Sequence, residues 1–197
     1  MGTSSFLIVH GIANRRPPDH WQFQLAATLA AEGAQVLYPG MPDPDAPSLR
    51  AWLEVLRDEL ARMEGDERTV VCHSLACLLW MAAAPDLDPH SRPDRVLLVS
   101  PPAPQQLPEE ADDFRVRLEG GAEIRSGARR GTRIVASDAD PYNRVGAASL
   151  YADPLRIEFD LIEGGGHITP ADGYGRWPGV ADWCRGTVGH VVGNTAR

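Results

Sequence analysis

The segment Thr69-Val70-Val71-Cys72-His73-Ser74-Leu75-Ala76-Cys77 sets a serine between a β-rich apolar run and an apolar run of helical character, with no room for a loop. A chain that passes from strand to helix at one residue must turn sharply there, and the turn lifts the serine Oγ clear of the sheet. Such strain costs of order 1–3 kcal/mol, so it persists where the exposed hydroxyl is put to use as a nucleophile. Strand and helix approach closely at this turn and require small residues two before and two after the serine. Cys72 and Ala76 stand there in place of the usual glycines. The plainer reading is a serine that caps a buried helix.

A serine nucleophile needs a base, an acid to orient the base, and donors for a developing oxyanion. After the apolar run 132–136 comes Ser137-Asp138-Ala139-Asp140-Pro141-Tyr142, which offers two acids at a strand end. After the run 156–161 comes Glu163-Gly164-Gly165-Gly166-His167, where three glycines permit a tight loop that brings an imidazole over the sheet edge. Val9-His10-Gly11 closes the first β-rich run, so the backbone N–H of Ile12 can join that of Leu75 as an oxyanion donor; a simple strand-ending turn is the alternative. This set fits acyl transfer through a covalent intermediate.

These residues are positioned by two kinds of element in alternation. Strands are expected at 5–9, 35–38, 69–72, 95–100, 132–136 and 156–161, short runs with the continuous apolar character of strands buried on both faces. Trp21, Leu25 and Leu29 recur at helical spacing, as do Trp52, Val55, Leu56, Leu60 and Met63 behind a Ser48 N-cap. Residues 75–84 predict a buried helix stopped by Pro85, and weaker helices are expected over 143–151 and 177–192. The alternation implies an α/β fold, with a mostly parallel sheet of about six strands covered by helices on both faces. The stretch 101–113 is the longest irregular one, and long loops after strand ends are where ligands bind in such sheets.

Composition limits the function classes. With 197 residues, 43% hydrophobic, the chain can bury a full core as one domain over 1–197. A net charge of −8 disfavours nucleic acid and anionic membrane surfaces. Every basic residue is an arginine, which excludes a P-loop lysine and Schiff-base chemistry. There is no H-E-x-x-H and no paired C-x-x-C, so neither metal nor cofactor is expected. Three cysteines, no signal-like N-terminus and no run long enough to span a membrane point to the cytoplasm. Oligomeric state is not readable.

Several further residues read as structural. Cys72 and Cys77 are expected as small buried apolar groups, and His73 as a structural neighbour of the serine pointing away from it. His20, His90 and His190 are expected at the surface or in packing, and Trp21 and Trp52 in the core. Tyr174 and Trp177 either border a pocket or pack the last helix. Arg15 and Arg16 are expected in solvent, with attraction of an anionic acyl group as the alternative. Glu109, Glu110, Asp112 and Asp113 form a solvated loop face. Residues 105–123, with the loops at 12–18 and 39–47, would shape a pocket.

As a set, Val9-His10-Gly11, Trp21, Leu37-Tyr38-Pro39, Trp52, His73-Ser74-Leu75, Ser100-Pro101-Pro102, Ser137 to Tyr142, Gly166-His167 and Gly173-Tyr174-Gly175-Arg176-Trp177-Pro178 resemble the small serine hydrolases related to retinoblastoma-binding protein 9 and bacterial YdeN, within the α/β-hydrolase superfamily. The chain order Ser, Asp, His is that superfamily's. The resemblance covers nearly the whole chain. It implies a compact α/β-hydrolase core that begins at the strand carrying His10-Gly11, with no separate cap domain. It also implies Ser74 as nucleophile, His167 as base and Asp140, the acid before proline, as orienter, with Asp138 the competing acid. The expected activity is hydrolysis of small acyl esters, with thioesters, amides or acyl transfer as variants. A hydrolase fold kept only as a binding module is the competing class.

Overall fold

The computed structural model describes residues 3–115 and 121–194; residues 116–120 of the expected pocket segment 105–123 therefore lie outside the described residues, as do Met1 and Gly2. Six strands form one sheet in the order β2-β1-β3-β4-β5-β6: β1 Ser4–Val9, β2 Gln35–Leu37, β3 Glu67–His73, β4 Arg95–Val99, β5 Gly131–Ser137 and β6 Glu158–Ile162. Every pairing is parallel, with Leu7 opposite Val70, Cys72 opposite Leu98 and Val99 opposite Val135. The fold is the α/β architecture expected, parallel throughout.

Strand periodicity divides the core in two. Leu7, Val9, Val70, Cys72, Val96, Leu98 and Ile134 face one way and pack under α2 Leu49–Arg62, α3 Leu75–Ala83, α4 Gly121–Ser126 and the short α5 Asp153–Leu155. Phe6, Ile8, Val71, Leu97, Val99 and Val135 face the other way, against α1 Trp21–Ala31 and α6 Pro178–Cys184. Trp52 and Trp21 anchor the two faces, both wholly buried as their helical stripes require. Trp177 also goes inward: its ring meets that of Trp21 edge-on at 5.4 Å and that of Tyr174 at 5.1 Å, so this pair packs the last helix and leaves the cleft wall to others.

The helix ends explain themselves locally. Ser48 Oγ accepts the Ala51 N–H and Asp113 accepts the Leu49 N–H at 2.7 Å, so one acid of the solvated loop caps α2. Pro85 turns the end of α3 into a 3₁₀ turn, Ala84–Asp86. Two weaker helices are shifted or shortened. The helix expected over 143–151 begins later, as a π turn Ala148–Ala152 running into α5, because Asn143 ties its own segment into a turn through the Gly146 N–H and the Pro101 carbonyl. The helix expected over 177–192 ends at Cys184, where the Gly186 and Thr187 N–H groups fold back onto the Trp183 and Asp182 carbonyls. Among the described residues no helix is long and apolar enough to cross a membrane, and all three cysteines are free and buried.

Candidate active site

The loops that follow β1, β3, β5 and β6 meet above the carboxyl edge of the sheet. Ser74 joins β3 to α3 with φ 56° and ψ −124°, a conformation that L-residues avoid, and its N–H donates to the Val99 carbonyl at 2.9 Å. Cys72 and Ala76 are both fully enclosed on either side of the turn, as small residues must be there. Gly11, at the end of β1, leaves the serine its space: a Cβ at position 11 would lie 3.2 Å from the His73 carbonyl oxygen and nearer still to the serine side chain.

His167 reaches this serine from the loop after β6. Its Nε2 lies 2.9 Å from Ser74 Oγ, and its Nδ1 lies 2.9 and 3.0 Å from the two oxygens of Asp140. All three side chains belong to buried residues, Asp140 at 3% exposure and the other two at 8%. Asp140 also accepts the Tyr142 N–H at 2.9 Å, which fixes the carboxylate. With Nδ1–H donating to Asp140, the lone pair of Nε2 faces the serine hydroxyl, and O–H donates to it. Asp138 turns elsewhere: it is exposed and accepts the Gly164 N–H at 2.7 Å.

The backbone around the imidazole is held from three sides. Asp172 accepts the His167 N–H at 3.1 Å together with the Thr169 N–H and hydroxyl, His73 Nε2–H donates to the His167 carbonyl at 3.0 Å, and Trp21 Nε1–H donates to the Ile168 carbonyl at 2.9 Å. Gly166 makes the approach of Asp172 possible, since any Cβ there would lie 2.1 Å from the carboxylate and φ is +59°. His73 thus positions the loop of His167, the structural role expected of it. Asp172 was not singled out by sequence, although Thr169-x-x-Asp172 is a capping-box pattern and forms one here.

Three more imidazoles surround the site, all neutral. Burial lowers the pKa of His10, whose Nδ1–H donates to the Gly11 carbonyl and whose Nε2 accepts the Met41 N–H, both at 2.9 Å. Burial and the neighbouring His167 hold His73 well below the usual histidine range. Burial pushes His20 down to about 4. His90 and His190 are exposed.

A cleft of about 850 Å³ opens over Ser74. Its walls include Ile12, Pro17, Pro102, Leu107, Pro108 and Pro141, and the Tyr142 ring stands 4.6 Å from that of His167. Ile12 and Leu75 both line it, and neither backbone N–H is engaged by another described residue. From the expected pocket loops, residues 105–108, residues 12–14 with Pro17, and Asp45 of the loop at 39–47 contribute. Arg15 and Arg16 stay outside: Arg15 pairs with Asp45 at the surface, and the Arg16 guanidinium donates to the Tyr38 carbonyl at 2.7 Å. Among the described residues no group of three or more His, Cys, Asp or Glu side chains is arranged to hold a metal ion.

Residues 6–185 match the family model described as serine hydrolase. No curated protein sequence matches. Among solved structures, the ydeN gene product from B. subtilis superposes with a TM-score of 0.81 at 24% identity, over 93% of this chain and 98% of that one. A protein described as YdeN-like from Pectobacterium atrosepticum gives 0.73 at 19% identity, over 94% and 93% of the two chains. An esterase domain from a Rhodothermus marinus protein gives 0.61 at 16%, over 92% and 86%. At these identities the structural likenesses speak for the fold.

Proposed function

The chain belongs to the serine hydrolase family, and within that family we propose that it cleaves small acyl esters, as a carboxylesterase-like enzyme, through Ser74, His167 and Asp140. The observation that carries this reading is the unbroken run of short contacts from Ser74 Oγ through the imidazole to both Asp140 oxygens.

Neutral His167 takes the Ser74 proton on Nε2 as Oγ attacks the acyl carbon. Asp140 holds the tautomer and stabilises the transient imidazolium while remaining ionised. The N–H groups of Ile12 and Leu75 receive the oxyanion of the tetrahedral intermediate; losing one such donor typically lowers the rate by about 10²–10³. Collapse passes the proton from His167 to the leaving alcohol, and water, activated by the same imidazole, releases the acid from the acyl-enzyme. The residues present require no metal or cofactor for these steps. We read residues 1–197 as one catalytic domain without a cap, acting on a small-molecule substrate.

A fluorophosphonate probe should label Ser74, Ser74→Ala should abolish labelling, and p-nitrophenyl acetate should be turned over by the unaltered chain alone. A folded protein that is neither labelled nor active on any short acyl ester would leave a hydrolase fold retained for binding.

A further inference from the structure

One polar group in the cleft has no part in the steps above. His20 is only 4% exposed, yet it lines the cleft with Pro17 and Thr169. Its Nδ1 accepts the Gln22 N–H at 3.2 Å, the N-cap bond of α1, so the ring proton sits on Nε2. That cap is the only hydrogen bond of the His20 side chain among the described residues. Nε2–H therefore has no acceptor among the described residues, and the residue borders the cleft. A donor facing the cleft is matched by solvent or by an acceptor on a bound molecule, and a bound group that displaces the solvent without offering an acceptor leaves it unmatched.

The donor carries no charge. Burial holds the ring neutral above about pH 4, and the rings of His73 and Trp21 pack against it at 5.3 and 5.6 Å. The cleft is equally specific about charge. Its wall includes the carboxylates Asp172 and Asp45, the latter paired with Arg15, and among the described residues no arginine lines it. A carboxylate-bearing substrate would meet the Asp172 carboxylate and no unpaired arginine among the described wall residues.

We propose that His20 is a specificity-determining residue: its Nε2–H donates to an uncharged oxygen of the bound ester other than the scissile carbonyl, and the preferred substrates are neutral esters that carry an ether, hydroxyl or carbonyl oxygen in the acyl or alcohol part. This rests on Ser74 being the nucleophile.

The test uses two isosteric pairs with the full chain: p-nitrophenyl methoxyacetate against p-nitrophenyl butyrate, and 2-methoxyethyl acetate against butyl acetate. Each rate is normalised to the ester's hydroxide-catalysed hydrolysis. His20→Asn keeps a side-chain oxygen to cap α1 but is too short to carry an N–H to the position of Nε2. The unaltered protein should favour the oxygen-bearing member of at least one pair by about two- to tenfold in kcat/KM, and His20→Asn should erase that preference. An equal fall for both members of each pair would make His20 a cap and nothing more, and overturns the proposal. So would the absence of any preference in the unaltered chain, or faster turnover of mono-p-nitrophenyl succinate than of the methoxyacetate. If no ester is turned over and Ser74 takes up no fluorophosphonate, the hydrolase reading itself has failed. Labelling with equal ratios means that only the role of His20 has.

Discussion

Gly11 lies against Ser74 so closely that a Cβ on the glycine would stand 2.7 Å from the serine Cβ and 3.1 Å from its Oγ. No side chain can enter that space unless β1's end or the elbow moves. Gly11→Ala should therefore lower kcat by about 100-fold, the usual consequence of a misplacement near 1 Å, while the far-ultraviolet circular dichroism stays that of the parent. Activity within a few-fold of the parent would show that the two segments part freely.

Ser74 holds positive φ without being glycine, so the elbow stores strain. Ser74→Gly relaxes it and Ser74→Ala does not. Both variants should be inactive, and urea denaturation should find the glycine variant more stable than the alanine variant by about 1 kcal/mol. The reverse order would mean that the turn is unstrained.

The two acids after β5 separate cleanly by mutation. Asp140→Asn leaves the shape but presents a donor to Nδ1, and kcat should fall by about 10³–10⁴. Asp138→Asn touches only the exposed Gly164 N–H, and kcat should remain within a few-fold of the parent. Steady-state kinetics on one p-nitrophenyl ester decides both.

Acid should loosen the fold through its buried imidazoles. An unfolded histidine binds its proton near pH 6.5, whereas folded His20 does so only at about 4. Between those values the unfolded chain holds more protons, so stability falls by about 1.4 kcal/mol per unit of pH lowered from this residue alone. His10 and His73 are displaced in the same direction and add to it. Above about pH 6.5 the contribution is complete and flat. Urea denaturation at pH 7, 6 and 5 should show the decline, with a shallower slope in His20→Asn; parallel slopes would contradict it.

Much of this architecture is legible in the sequence, because strands buried on both faces announce themselves as short continuous apolar runs. The edges of elements are less so. β6 starts at Glu158 and not at 156, since Arg156 adopts a left-handed conformation to close α5 and Ile157 N–H bonds back to Ala152. Ser74 and His167 could be singled out because each follows a strand and carries its own local signal, a loop-free junction and a glycine run; the strand end before Pro141 offers two acids, and the preference for Asp140 over Asp138 comes from the family resemblance. Asp172 and His20 lacked a signal that pointed to the cleft. His20 reads as a surface or packing residue and Asp172 only as the end of a Thr169-x-x-Asp172 pattern; the structure makes both part of helix caps, and only the packing of α1 and the loop after β6 over the carboxyl edge brings them to the same space as the serine.

The anchoring of residues 167 and 168 to Trp21, His73 and Asp172 has a consequence for how the molecule fails. Those anchors belong to α1, to β3 and to the base's own loop, so the imidazole cannot drift without loosening the layer that covers one side of the sheet. Heat inactivation and global melting should then be a single cooperative event, with no softened, half-active species between them.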